Sequence, residues 1–348
     1  MELPLSILGA IKFPNQAQFN PCKYANGLVK SMLEKNVKIF ENTKVVDLKN
    51  KDELYEVITE NGNSVTAKYV VLSSHYPIIN TPGYYFLKMY QSSSYVVAVE
   101  TQKTLFQGMY INSEKPTFSF RTAGNEQSNL LLVAGMDHKT GEKKDLSNNY
   151  NELLKMAKKI DPTCKLKYQW GTQDCISLDK IPYIGRFSSL MPNVYIGTGY
   201  KKWGITNSNV AANIIVDKIL GKENPYEDVF TSTRLEAIKN HQEVGNLLKE
   251  VAKSLVIEKL KIPDETLKEI TNGDGKIVEL NGKKVGIYKD ETGQLFAVKP
   301  VCSHLGCDLS WNNLEKTWDC PCHGSRFSYM GKSIYDPSIH NLERIDIE

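Results

Sequence analysis

The 348-residue sequence lacks most of the features that announce a partner. It holds no apolar run approaching the roughly 18 residues that span a bilayer, so no membrane span is expected. The opening residues Met1 to Leu8 lack the basic stretch of a secretory signal. There is no basic block: 43 Lys and Arg are interspersed with 40 Asp and Glu, leaving +3, which argues against a nucleic-acid partner. Arginine is scarce, confined to Arg121, Arg186, Arg234, Arg326 and Arg344. Glycine is not scarce, but it is never arranged as G-x-G-x-x-G. Gly197 and Gly199 are followed by Lys202, and Gly273 and Gly275 by Val278, where the third glycine is needed. Outside one C-terminal group the histidines are His75, His138, His241 and His340, with no close helical pair to hold a mononuclear iron. The expectation is a soluble, cytoplasmic protein.

What is present reads as two units and a bridge. At 41% hydrophobic and 24% charged the composition is that of a globular protein, and the length allows two or three domains. Asn20-Pro21 caps a helix carrying Ala25, Leu28, Val29, Met32 and Leu33 at helical spacing. Lys38 to Leu48 reads as a strand, and Tyr55–Thr59 and Val65–Leu72 flank the hairpin signal Asn61-Gly62. Further strands are expected around Ser94–Val99, Thr117–Arg121, Leu130–Ala134 and Val194–Gly197. Helices are expected from Ser147 to Ile160 and from Thr206 to Leu220, the latter closed by Gly221. A charged helical bridge follows over 231–261, with Leu235, Ile238, Leu247, Leu248, Val251 and Leu255 as its apolar stripe. From 262 the pattern changes to short strands and glycine turns. The division expected is therefore 1–230, mixed α/β; 231–261, helical linker; and 262–348, small and all-β.

Cysteine is ordinary in number but not in placement. Of seven, Cys302, Cys307, Cys320 and Cys322 lie close together, interleaved with His304 and His323. An odd total argues against a disulfide framework, and the two histidines argue for metal. Cys302-x-His304 and Cys320-x-x-His323 provide two thiolates and two imidazoles, a set suited to a [2Fe–2S] cluster with one iron on Cys and the other on His. The same Cys₂His₂ set also suits structural zinc, which would leave Cys307 and Cys322 without a purpose. These loops, with their glycines, resemble the Rieske family. The resemblance implies that Cys302 and Cys320 bind one iron, that His304 and His323 bind the other, and that Cys307 and Cys322 form a disulfide tying the loops. It also implies that Ser325 donates to a cluster sulfur and that Pro337 belongs to the loop covering the cluster. Phe327 stands where the high-potential members have a tyrosine donor, which implies a lower potential here.

Three stretches of the first unit carry a second resemblance: Trp170-Gly171-Thr172-Gln173-Asp174, Asp179 to Gly185, and Gly197 to Thr206. They resemble the C-terminal half of the D-amino-acid-oxidase-like FAD-dependent oxidoreductases, and the whole order resembles the bacterial group that fuses this fold to a Rieske domain. The implied fold is an α/β (α+β) FAD-dependent oxidoreductase fold, incomplete because the N-terminal G-x-G-x-x-G half is not in the sequence, followed by a small all-β Rieske domain. The implied cofactors are a [2Fe–2S] cluster and FAD, the latter touched by Val45, Ser73, Ser74, Gly199, Gly204, Ile205 and Thr206. Independently of the resemblance, Gly199 to Thr206 is a glycine turn leading into a helix N-terminus, which suits an anionic ring edge. Without the glycine turn that grips a pyrophosphate, this chain is expected to hold little flavin unless another chain supplies that half. Arg121 is the candidate for clamping a substrate carboxylate, with a buried structural ion pair as the alternative. His138 and Lys139 are expected in a solvated loop, and Cys22, Cys164 and Cys175 as buried small hydrophobes. The implied function is passage of electrons between a small amine-like donor and the cluster, and on to a redox partner. The alternative is an electron-transfer module in which the α/β part is a docking scaffold.

Overall fold

The computed structural model describes residues 3, 5–103, 106–125, 128–142, 145–234, 245, 249, 252 and 267–347. Helix α1 (Pro21–Glu34) starts as its sequence dictates: the Asn20 side chain accepts from the Lys23 N–H at 3.0 Å, with proline in the first turn. None of its residues is buried, and Leu28, Val29, Met32 and Leu33 lie open. Cys22, on this helix, is exposed rather than buried, whereas Cys164 and Cys175 are buried. The strand expected from Lys38 begins only at β1 (Val45–Lys51), because Glu41 and Asn42 form a turn with Asn42 at φ 51°.

Strands β1, β2 (Leu54–Thr59) and β3 (Ser64–Ala67) form an antiparallel sheet, with Gly62 supplying the positive φ of the hairpin turn. The expected strand over 65–72 is two strands. After β3 the chain crosses to β4 (Val70–Leu72), which pairs in parallel with β11 (Met191–Thr198). With β10 (Tyr183–Ser188) these form a second sheet, order β10-β11-β4. Helix α3 (Gly204–Ile219) lies on it through Ala211, Ile214 and Ile215 against Ile184 and Tyr195.

The largest sheet runs β6 (Tyr110–Ile111), β7 (Phe118–Asn125), β8 (Ser128–Lys139), β5 (Met89–Glu100), β9 (Lys165–Ser177). Helix α2 (Asn149–Ile160) covers it with Tyr150, Leu153, Ala157 and Ile160, the face its sequence periodicity indicates. After α4 (Glu227–Phe230), Arg234 is buried and clamps the start of β10. Its Nε and Nη2 donate to Asp179 at 2.6 and 2.9 Å, Nη1 donates to the Pro182 carbonyl, and the guanidinium lies 4.1 Å from the Tyr183 ring centre.

The apolar stripe expected from Leu235 to Leu255 lies outside the described residues. The C-terminal unit is two antiparallel sheets: β12 (Asp274–Leu280), β13 (Lys283–Lys289), β14 (Leu295–Val298), and β15 (Ser310–Asn312), β16 (Thr317–Asp319), β17 (Arg326–Ser328), β18 (Ser333–Tyr335). Trp318, Phe327, Val298 and the four clustered cysteines share one core. Among the described residues no helix is long and apolar enough to cross a membrane.

Candidate metal centre and flavin face

Two loops with the same internal geometry present the cysteines and histidines. In the first, Cys302 N–H donates to Cys307 O and Gly306 N–H returns to Cys302 O. In the second, Cys320 N–H donates to Ser325 O and Gly324 N–H returns to Cys320 O. Each reversal needs a left-handed residue before its close, and glycine fills it, at φ 77° for Gly306 and 82° for Gly324. Cys307 and Cys322 are joined in a disulfide that ties loop to loop, with Cα atoms 6.6 Å apart. Their sulfurs also lie within 4.8 Å of Cys320, but a bonded pair has no thiolate to offer a metal.

What remains is a converging set of donors. Cys302 and Cys320 are free and buried, and the His304 and His323 rings stand 5.1 Å apart at 89°. The Nδ1 atoms of both rings are buried without a hydrogen-bond partner. His304 Nε2 lies 2.7 Å from Asn80 Oδ1, so Nε2 carries the proton and Nδ1 is left with a free lone pair. Burial pushes His304 down to about 4 and His323 to about 3, so both rings are neutral at pH 7. Cys302 is pushed down to about 7, first by a hydrogen bond from the Cys320 thiol, and also by the His304 and Leu305 N–H groups and the Ser325 hydroxyl. Cys320, holding the proton the pair shares, is pushed up. Unpartnered Nδ1 atoms and sulfurs already ringed by N–H donors fit a [2Fe–2S] cluster with mixed ligation.

The surrounding residues close over this group. Ser325 is wholly buried; its Oγ accepts from Ser338 N–H at 3.0 Å while its hydroxyl reaches the Cys302 sulfur. Ser338 also meets Ser303 at 2.5 Å, which draws the loop holding the buried Pro337 over the first cysteine loop. Phe327 is buried in the same core as the cysteines and has no polar atom to offer them.

The histidine end of the unit faces the α/β part. Phe86 meets both imidazoles edge-on, 5.7 Å from His323 and 6.5 Å from His304. Gln173 Nε2 donates to Gly324 O at 2.7 Å, Gln91 Nε2 to Asp336 O at 2.5 Å, and Lys44 reaches Ile339 O. A Cβ on Gly324 would stand 2.4 Å from the Gln91 Cβ, and one on Gly141 would stand 2.4 Å from Pro321 N. None of Asn80, Phe86 or Gln91 was marked by sequence pattern. Gln173 lies in a stretch singled out for its family resemblance, but nothing there assigned it a contact.

The candidate flavin residues gather only in part. Because β4 and β11 are parallel neighbours, Ser73-Ser74 and the turn from Gly199 to Thr206 emerge at the same, C-terminal, end of one sheet, where open α/β sheets bind ligands. Gly199 has φ 73°, and Gly204, Ile205 and Thr206 begin α3 on an exposed face. Val45 lies apart, on the first sheet, half-buried. Arg121 is exposed on β7, paired in register with Leu132. His138 is not in a solvated loop: it is a buried strand residue stacked on Tyr95, with ring centres 5.8 Å apart.

This fold, an α/β unit joined to a small β unit with paired Cys/His loops, is that of a flavin-type oxidoreductase carrying an iron–sulfur domain. Residues 1–218 match the family of FAD dependent oxidoreductases, called DAO, and residues 261–346 match the Rieske [2Fe-2S] domain; the chain belongs to that oxidoreductase family and ends in a Rieske domain. It is 38% identical over all 348 residues to the Rieske 2Fe-2S iron-sulfur protein YhfW of Bacillus subtilis, and spans 68% of that relative's length. Its C-terminal part is 38% identical over 95 residues to the cytochrome b6-f complex iron-sulfur subunit of Chlorobaculum tepidum, covering 26% of this chain and 52% of that one. Glycine oxidase from Geobacillus kaustophilus shares the fold over 60% of this chain and 57% of its own, at 19% identity and a TM-score of 0.52.

Proposed function

We propose that this protein passes electrons between a small amine-like donor and a Rieske cluster held by Cys302, Cys320, His304 and His323. The observation that carries this reading is the segment between Phe86 and Met89. Phe86 touches both imidazoles, and a Cβ on Gly199 would stand 3.4 Å from Met89 Sδ. The two residues are three apart, so at most about 11 Å of backbone separates the residue beside the imidazoles from the residue beside the candidate flavin turn. FAD held at the turn from Gly199 to Thr206 would supply two-electron chemistry toward the donor and one-electron chemistry toward the cluster. The chain's own residues do the rest. Gly199 lets the backbone approach a planar ring, the free N–H groups of α3 face its electron-rich edge, and Phe86 keeps water from the imidazoles. Arg121 is the candidate for a substrate carboxylate.

A second reading rests on the exposure of the 201–206 face and on the absence of a G-x-G-x-x-G turn from these 348 residues. In it the α/β part is a scaffold for the cluster, or receives its dinucleotide half from another chain. Anaerobic titration of the FAD-supplemented chain with small amines and amino acids separates the two. The enzyme reading expects a donor to elicit the reduced-cluster EPR signal only when FAD is bound. Stoichiometric iron and sulfide with no flavin retained, and no donor-driven signal, would favour the scaffold.

A further inference from the structure

We infer that the imidazole edge of the cluster domain is an internal docking surface, seated on residues 80–91 of the α/β part, with Asn80 as the residue that positions His304. This rests on the reading of Cys302, Cys320, His304 and His323 as cluster ligands. The first support is the hydrogen bond between His304 Nε2 and Asn80 Oδ1, 2.7 Å long and made across 224 residues of sequence. An imidazole ligating through Nδ1 must dispose of its Nε2–H, and here the acceptor comes from the other unit. The second support is the fit. Gly324 meets Gln91, and Gly141 meets Cys320 and Pro321, so closely that neither has room for a Cβ. One of these glycines lies on each side of the interface. Amide donors from Gln91 and Gln173 then fasten the covering loop at Asp336 and the second cysteine loop at Gly324. The third is Phe86, whose ring covers both imidazoles and helps hold the His323 nitrogens out of solvent. A surface used by a diffusing partner would leave that edge open; this one is filled by the chain itself.

The positioning role makes an ordered prediction. An acceptor on Nε2–H makes the imidazole a stronger donor to its metal and so favours the oxidised state. Asn80→Asp keeps the oxygen and adds charge; Asn80→Ala removes the acceptor. In the cluster-loaded 348-residue chain, EPR-monitored redox titration should give potentials rising in the order Asn80→Asp, unchanged protein, Asn80→Ala. Amide exchange of unchanged protein should show 302–306 and 78–87 protected together, and Gly141→Val, which wedges the interface from the α/β side, should release both. Equal potentials in all three proteins, or 302–306 exchanging as an open loop in the unchanged one, would overturn the inference while leaving the ligand assignment standing. A chain with no Rieske-type EPR signal would instead remove the reading on which it rests.

Discussion

Ser325 has no exposed surface, and its hydroxyl both accepts from Ser338 N–H and reaches the Cys302 sulfur. A donor to a cluster sulfur stabilises the reduced state, which carries more negative charge. Ser325→Ala should therefore lower the reduction potential, and Phe327→Tyr, which introduces a hydroxyl beside the cysteines, should raise it. Protein-film voltammetry reads both, and equal potentials would show that neither side chain addresses the cluster. Asp336 supplies a pH effect of the less common sign. Burial pushes its carboxyl up from 3.8 to about 6, against the pull of Lys44. The folded state then binds more protons than the unfolded state between those values, so stability falls as pH rises from about 4 to about 6. Asp336→Asn should leave stability unchanged near pH 3.5 and raise it above pH 6.5 in thermal melts; a gain equal at both pH values would show the cause is not ionisation.

At the scale of elements, the disulfide between Cys307 and Cys322 is the tie whose removal is simplest to read. It closes a separation of 15 residues, and in the chain-entropy model a loop of that length contributes about 3 kcal/mol. The double change of Cys307 and Cys322 to Ser should lower stability by about that amount in urea. A loss below about 1 kcal/mol would mean that the unfolded chain is held compact by other means. The two loops were legible in sequence because their donors lie close along the chain and Cys and His are rare enough for their clustering to carry information. The split of 65–72 was not legible, since both halves are β-branched and only pairing across the molecule sends Val70–Leu72 to β11. The burial of His138 is hidden for a similar reason: Thr140-Gly141 beside it is a turn signal, yet β8 runs through to Lys139 and buries the ring on Tyr95. Asn80 and Phe86 sit in a connection with no periodicity, and their meaning appears only when residues 304 and 323 arrive beside them.

At the scale of the molecule, the α/β and β units are arranged so that one short segment, 80–91, touches the imidazoles and leads directly into β5, whose first residue packs beneath the Gly199 turn. The chain spans 68% of YhfW and 57% of the glycine oxidase whose fold it shares. The activity of a longer protein is therefore a matter for the donor titration, and the cluster is the part that these residues should hold unaided. Its most direct test is EPR of the purified, dithionite-reduced 348-residue chain, alone and as His304→Cys. Cys/His ligation predicts a rhombic signal whose average g is below that of all-cysteine [2Fe–2S] clusters, with the His304→Cys spectrum lost or moved toward the all-cysteine type. A colourless, zinc-containing protein, or a His304→Cys spectrum identical to that of the unchanged chain, would contradict it.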